Sequence, residues 1–533
     1  MTATEIAPAA PDTTDAPASE PALYRLVTTG DHKTVGRLYI VFSLIFLVVV
    51  LVVGVLVGFE RSDQTSINVF GGVDTYFQAW TLWKVGLIVL AVVPMFIGLA
   101  VAIVPLQVGS PAIAFPRAAA LSLWGWVVGG LIFSISLAIN GGLGGLPGGG
   151  IDHDAAALTI VGLMLVVISL LLASICIATT VISLRPAGMY LNRVPAFAWS
   201  SLVASVLWLM ILPVALANLV IAYVDFRNAH PLGYGNQVAL QIKWLLRPPT
   251  VFAFVIPALG ILADIVPVVA KVRQNLYGVL LGAIALFGVL SFGAFVQIDN
   301  IEKQFVYIAM SFALLIPVLM FLGGIADTLR RGGKNIGLPP TALLCALLGT
   351  LVVFAGVSMA AIRAISTFDL AGTVQTSAAD AAFDAALLGG LCAALGGVAW
   401  WSSKLAGRSF PELGRPLALL LGGGAFIAAV PELVAGFRDQ PGGFVPAIDV
   451  VKDGVELCNT ISAIGVCLVT IGVLGFVGLL LKSLKGGSTA VGDPVDGHTL
   501  EWATASPPPA GNFAEAVAVV RTERPLLDIK EAQ

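Results

Sequence analysis

Twelve apolar runs dominate the chain, near 38–59, 79–107, 119–139, 157–183, 197–224, 250–270, 276–297, 305–324, 340–362, 381–401, 416–436 and 459–481. Crossing a bilayer takes about 20 residues of helix, and only helices and closed barrels satisfy their own backbone in hydrocarbon. The runs therefore predict an all-α membrane protein, a twelve-transmembrane-helix bundle. Composition agrees: of 533 residues, 58% are hydrophobic and 11% charged, against about 25% charged in soluble domains. No large soluble domain fits. Residues 28–485 are expected to form the membrane domain. Residues 1–27, rich in Ala, Pro, Thr and acids, are expected to be a disordered cytoplasmic tail, and 486–533 a second cytoplasmic tail. The opening stretch MTATEIAPAAPDTTDAPASE has neither the basic segment and apolar core of a secretory signal nor an arginine-rich transit pattern.

Basic residues set the expected orientation. With the N-terminus inside, Arg25, Lys33, Arg37, Arg117, Arg185, Lys271, Arg330, Lys404 and Lys482 share one side with most other cations. The opposite side holds Glu60, Asp63, Asp152, Asp154, Asp299 and Glu302. This positive-inside bias places both termini in the cytoplasm. The net charge of −3 argues against a nucleic-acid partner, which leaves membrane lipids and other membrane subunits. Cys176, Cys345, Cys392, Cys458 and Cys467 lie in or beside apolar runs without C-x-x-C spacing, and read as free thiols. The glycine-rich GGLGGLPGGG (141–150) has no preceding strand and no Gly-Lys-Ser/Thr, so it reads as a connector rather than a phosphate loop. Small residues in GVLLGAIALFGVLSFG (278–293) and LLGGLCAALGG (387–397) predict close helix packing.

Several stretches, in order along the chain, resemble subunit I of the haem-copper oxidases of the cytochrome c oxidase type. They are TTGDHKTVGRLYIVF (28–42), VPLQVGSPAIAFPRAAALSLW (104–124), NTISAIG (459–465), HTLEWATASPPPAGNF (498–513) and RPLLDIK (524–530). The resemblance implies a twelve-helix fold with both ends inside. In that family two histidines bind a low-spin haem, one carries a high-spin haem and three hold copper, with imidazole as the donor.

Residue by residue, the pattern departs from the family. The copper ligand and tyrosine of the family's His-Pro-Glu-Val-Tyr on helix 6 fall on Pro248 and Phe252. The His-His pair of helix 7 falls on Gln297 and Ile298, and the lysine of helix 8 on Phe321. The low-spin haem ligand of helix 2 falls on Trp83 or Lys84. The His-Phe-His of helix 10 falls within AADAAFDAA (378–386). The chain holds four histidines, His32, His153, His230 and His498, none of them inside an apolar run. No haem or copper is therefore expected.

Lys84, flanked by Trp80 and Trp83, reads either as a snorkelling lysine about one turn inside helix 2 or as a charge in a remodelled haem cavity. Asp264, seven residues before Lys271, reads either as an interfacial acid or as a proton relay or ion-pair member. Arg247, Pro248 and Pro249 mark the expected start of helix 6. Arg363, Asp369, Asp380 and Asp384 are expected in a solvated loop, and Trp83, Trp400 and Trp401 as interface anchors. Met95, Met310, Met320 and Met359 show only core spacing.

The resemblance thus implies an oxidase subunit I scaffold without its metals, in a bacterial plasma membrane. Its expected role is structural or regulatory, beside subunits resembling oxidase subunits II or III. A transporter or channel on the emptied bundle is the alternative reading. An active terminal oxidase with unusual ligands is a third.

Overall fold

The computed structural model describes residues 22–62, 69–143, 152–227, 244–292, 305–366, 376–443, 454–486, 492–514, 517 and 519–532. A short helix α1 (Ala22–Val27) precedes α2 (His32–Ser62) and α3 (Val73–Gly86). A π-helical turn at Leu87–Val92 joins α3 to α4 (Val93–Gln107). Then come α5 (Pro116–Ala138), α6 (His153–Ser183), α7 (Ala196–Arg227), α8 (Ile256–Ala270), α9 (Tyr277–Leu290), α10 (Phe305–Ala313) and α11 (Leu315–Gly332). The chain continues through α12 (Thr341–Ser366), α13 (Ala378–Trp400), α14 (Ser402–Ala406), α15 (Arg415–Phe437), α16 (Val455–Gly486) and α17 (Pro525–Ala532).

Every one of the twelve apolar runs contains helix, but only 10 helical segments among the described residues are long and apolar enough to cross a membrane. The sixth and seventh runs give the shorter apolar helices Ile256–Val269 and Tyr277–Leu290. Proline chemistry shortens the sixth. The ring of a proline inside a helix collides with the carbonyl four residues earlier, while its missing N–H costs nothing in a first turn. Pro257 therefore starts an α-helix, and Thr250–Phe254 winds as a separate 3₁₀ turn. The Ala253 carbonyl, which Pro257 cannot serve, accepts from the Trp208 indole at 3.0 Å. Arg247, Pro248 and Pro249 thus lie ahead of the 3₁₀ turn and do not open the α-helix, contrary to the sequence expectation.

The inner helices pack at backbone distance. A Cβ on Gly349 of α12 would lie 2.5 Å from the Gly389 carbonyl of α13, so this crossing needs glycine. One end of the bundle is closed by the C-terminal segment. His32 Nδ1 bonds the Val101 carbonyl at 3.0 Å, and its Nε2 meets the Asn512 amide at 3.0 Å. Lys33 donates to Asn512 Oδ1 at 3.2 Å, and Lys404 to the Thr504 carbonyl at 2.7 Å. The described N-terminal residues and the tail therefore occupy the same end. The glycine-rich stretch lies mostly outside the described residues.

Candidate functional site

The substituted positions fall into two groups with different physical chemistry. In the first, aromatic rings meet edge to face. Phe252 lies 6.3 Å from Phe287, Phe287 6.3 Å from Phe354, and Phe354 5.8 Å from Phe321, all centroid to centroid. These spacings and tilts are the favoured geometry for quadrupolar rings. The two positions read separately on helices 6 and 8 are thus ends of one buried aromatic chain. Pro248 stands beyond the 3₁₀ turn, whereas Gln297 and Ile298 lie outside the described residues.

The second group is ionic. Lys84 Nζ lies 2.6 Å from Asp384 Oδ1, and both side chains are 1% exposed. Arg61 Nη1 lies 2.6 Å from Glu432 Oε1, and both are buried. The two pairs are electrostatic neighbours, so two cations and two carboxylates balance inside the protein. Charges removed from water need such partners. Lys84 does not snorkel. Eleven residues beyond the start of α3, it sits roughly 16 Å along the helix, too deep for its ammonium to reach water.

Asp384 is not in a solvated loop, because α13 begins at Ala378 and carries it into the interior. Arg363 is likewise buried. Asp380 is half-buried and accepts from the Gly443 amide at 2.9 Å; Asp369 lies outside the described residues. Trp83, Trp400 and Trp401 are buried rather than interfacial. Trp83 packs on Gly54 of α2, Trp400 on Trp502 of the tail, and Trp401 on Phe197. Met95 and Met359 are core residues.

Asp264 is also buried, and its surroundings give it a structural task. Its two oxygens accept from the Ala196 and Phe197 amides at 3.0 Å each, the free donors of the first turn of α7. A carboxylate there caps the helix and meets the positive end of its dipole. Gln107 Nε2 adds a bond at 3.0 Å, and Arg524 lies at 3.8 Å. Asp264 is therefore a buried helix-capping acid with a cation 3.8 Å away. Gln107 also donates to Glu501 Oε1 at 3.0 Å, and the Trp401 indole donates to the same oxygen at 3.4 Å. Burial, reinforced by Asp264, pushes the Glu501 carboxyl up to about 7. Burial and the Arg524 cation bring His498 down to about 4. Burial lowers Lys404 to about 8.

Sequence reasoning missed Arg61, Gln107, Glu432 and Glu501. Glu432 had a visible signal, since a carboxylate within an apolar run demands a partner. Gln107, at the polar end of its run, had a weaker one.

The residues present do not fit haem or copper. Where the family's ligands fall, the described residues offer a proline and a lysine committed to a carboxylate, with phenyl rings at the neighbouring tyrosine and lysine positions. His32 is held by Val101 and Asn512, His153 stacks on Phe226, and His498 lies in the tail; His230 is outside the described residues. Among the described residues no group of three His, Cys, Asp or Glu side chains could hold a metal ion.

The chain matches the family model for cytochrome c and quinol oxidase polypeptide I over residues 34–482. It is 28% identical to a cytochrome c oxidase subunit 1 of Bacillus subtilis, with 96% of this chain and 84% of the relative covered. It is 30% identical to a heme-copper oxidase subunit I+III of Aeropyrum pernix, covering 96% of this chain and 63% of that longer protein. A heme-copper terminal oxidase dimer solved by cryo-EM shares the fold, with a TM-score of 0.68 at 16% identity over 94% of this chain and 89% of the other. With that match running through the membrane bundle, the chain belongs to the cytochrome c and quinol oxidase polypeptide I family.

Proposed function

We propose that this chain is a non-catalytic subunit I scaffold, a bundle that holds neither haem nor copper and serves a respiratory-type membrane assembly by packing against partner subunits. One observation carries this reading: Lys84, at a haem-ligand position, is bonded to Asp384, while Phe252 and Phe321, at the family's tyrosine and lysine positions, are joined through Phe287 and Phe354. Oxygen reduction needs electron-carrying metals, and none of these side chains accepts an electron or offers iron a free lone pair.

The partner reading draws support from the subunit I+III relative, in which a chain of this kind is continuous with a further subunit. The bacterial relative supports a plasma membrane, and the basic-residue bias supports both termini inside. The transporter alternative finds no support in the packing. Among the described residues, a small cavity is lined by apolar side chains, among them Val85, Ile88, Val89, Leu170, Leu212 and Phe254, which offer water no polar partner.

The test is haem and copper content of the protein purified from its native membrane, by pyridine-haemochromogen spectroscopy and metal analysis. The expected result is substoichiometric haem and copper, with partner subunits co-purifying. Two haems per chain, with oxygen uptake, would return it to the working oxidases.

A further inference from the structure

We propose that the Lys84–Asp384 ion pair stands where the low-spin haem iron would stand in this fold, joining α3 to α13 in the iron's place and leaving no space for the macrocycle. The inference rests on the non-catalytic reading above and identifies what replaced the group. The phenylalanine of His-Phe-His has one counterpart in AADAAFDAA, Phe383, so the two histidines fall on Ala382 and Asp384. The other ligand position was open between Trp83 and Lys84. Geometry decides it, because the Trp83 ring faces Gly54 of α2 while Lys84 reaches across to α13.

Lys84 is thus in direct contact with one of the two helix 10 ligand positions, 2.6 Å apart and each 1% exposed. No metal or macrocycle can lie between two atoms already in hydrogen-bond contact. The ammonium is also roofed by rings, with Nζ 4.8 Å from the Trp83 centroid and 5.0 Å from that of Phe383. Both aromatic faces favour a cation there. The contact spans 300 residues of sequence, as a ligand bridge would. A buried pair of this kind fixes which helix faces meet, because either charge left alone is heavily penalised.

The experiment is a double-mutant cycle on the full chain in mild detergent, using Lys84→Met, Asp384→Leu and both together, read by SDS-driven unfolding. A charge reversal, Lys84→Asp with Asp384→Lys, keeps the test informative if single variants fail to fold. Each single change is expected to shift the folding equilibrium by a hundred-fold or more, on the order expected for a buried charge left unpaired. The double apolar variant and the reversal should recover most of that loss, with the wild type free of haem. A haem-free wild type whose double variant is as damaged as the singles combined would overturn this inference and leave the non-catalytic reading standing. A wild type with a low-spin haem spectrum would overturn both.

Discussion

The two halves of the substituted site solve the same problem in opposite ways. Around Phe252 and Phe321, apolar rings fill space with favourable edge-to-face contacts and no polar obligation. Around Lys84 and Asp384, charges fill it, and each requires its partner. The ring half should therefore tolerate loss of one contact with graded damage, whereas the ionic half should behave as a unit. The difference separates space-filling, which many side chains can supply, from pairing, which only a matched set can.

Four substitutions set the ring half against the ionic half. Phe321→Lys should have the largest effect, placing an unpaired ammonium among rings at a cost on the order of 5 kcal/mol or more. The expected outcome is collapse of monodisperse yield; a normal yield would mean that the ring half is wet. Glu432→Ala strands Arg61 in the interior and should cost about 3–5 kcal/mol, measured by SDS unfolding. Arg61→Met added to it should restore much of the loss, and additive damage would count against the unit description. Phe252→Tyr, which restores a family residue, should cost about 1–3 kcal/mol because the hydroxyl is buried without a partner. A neutral or stabilising result would reveal a hidden polar group beside Phe287.

The smallest effect concerns the far end of the molecule and serves as a control outside both halves. Glu501 holds its proton more tightly folded than unfolded, with an ordinary value of 4.5 raised to about 7. Such an acid makes the fold less stable as pH rises across that window. Glu501→Gln should flatten the pH dependence of the melting temperature between those limits, leaving the response to Glu432→Ala unchanged. An unchanged slope would place the titration elsewhere.

Much of the fold was legible because hydropathy is local. Each apolar run reports its own helix, and the tail motif HTLEWATASPPPAGNF marks the segment that closes the bundle. What hydropathy does not report is where proline divides a run, so the sixth run reads as one span yet folds as a 3₁₀ turn and a helix. The site was half legible. The missing histidines are a property of the chain, and the resemblance located the substituted positions. The partners are properties of three-dimensional space. Asp264 meets amides of residues 196 and 197, 68 and 67 positions away in sequence, so a local reading makes it an interfacial acid. Lys84 beside two tryptophans reads as a membrane-surface pattern until α3 is seen to begin at Val73, which carries it inward. Asp384 reads as a loop acid because it stands near the start of its apolar run, four residues after Asp380.

A cryo-EM map of the purified native chain tests the central claim most directly, at the contact between α3 and α13. Side-chain density is expected to run from Lys84 to Asp384, with ring density at Phe252, Phe287, Phe354 and Phe321 and nothing between. Flat, macrocycle-sized density separating α3 from α13, with Lys84 and Asp384 apart, would contradict it.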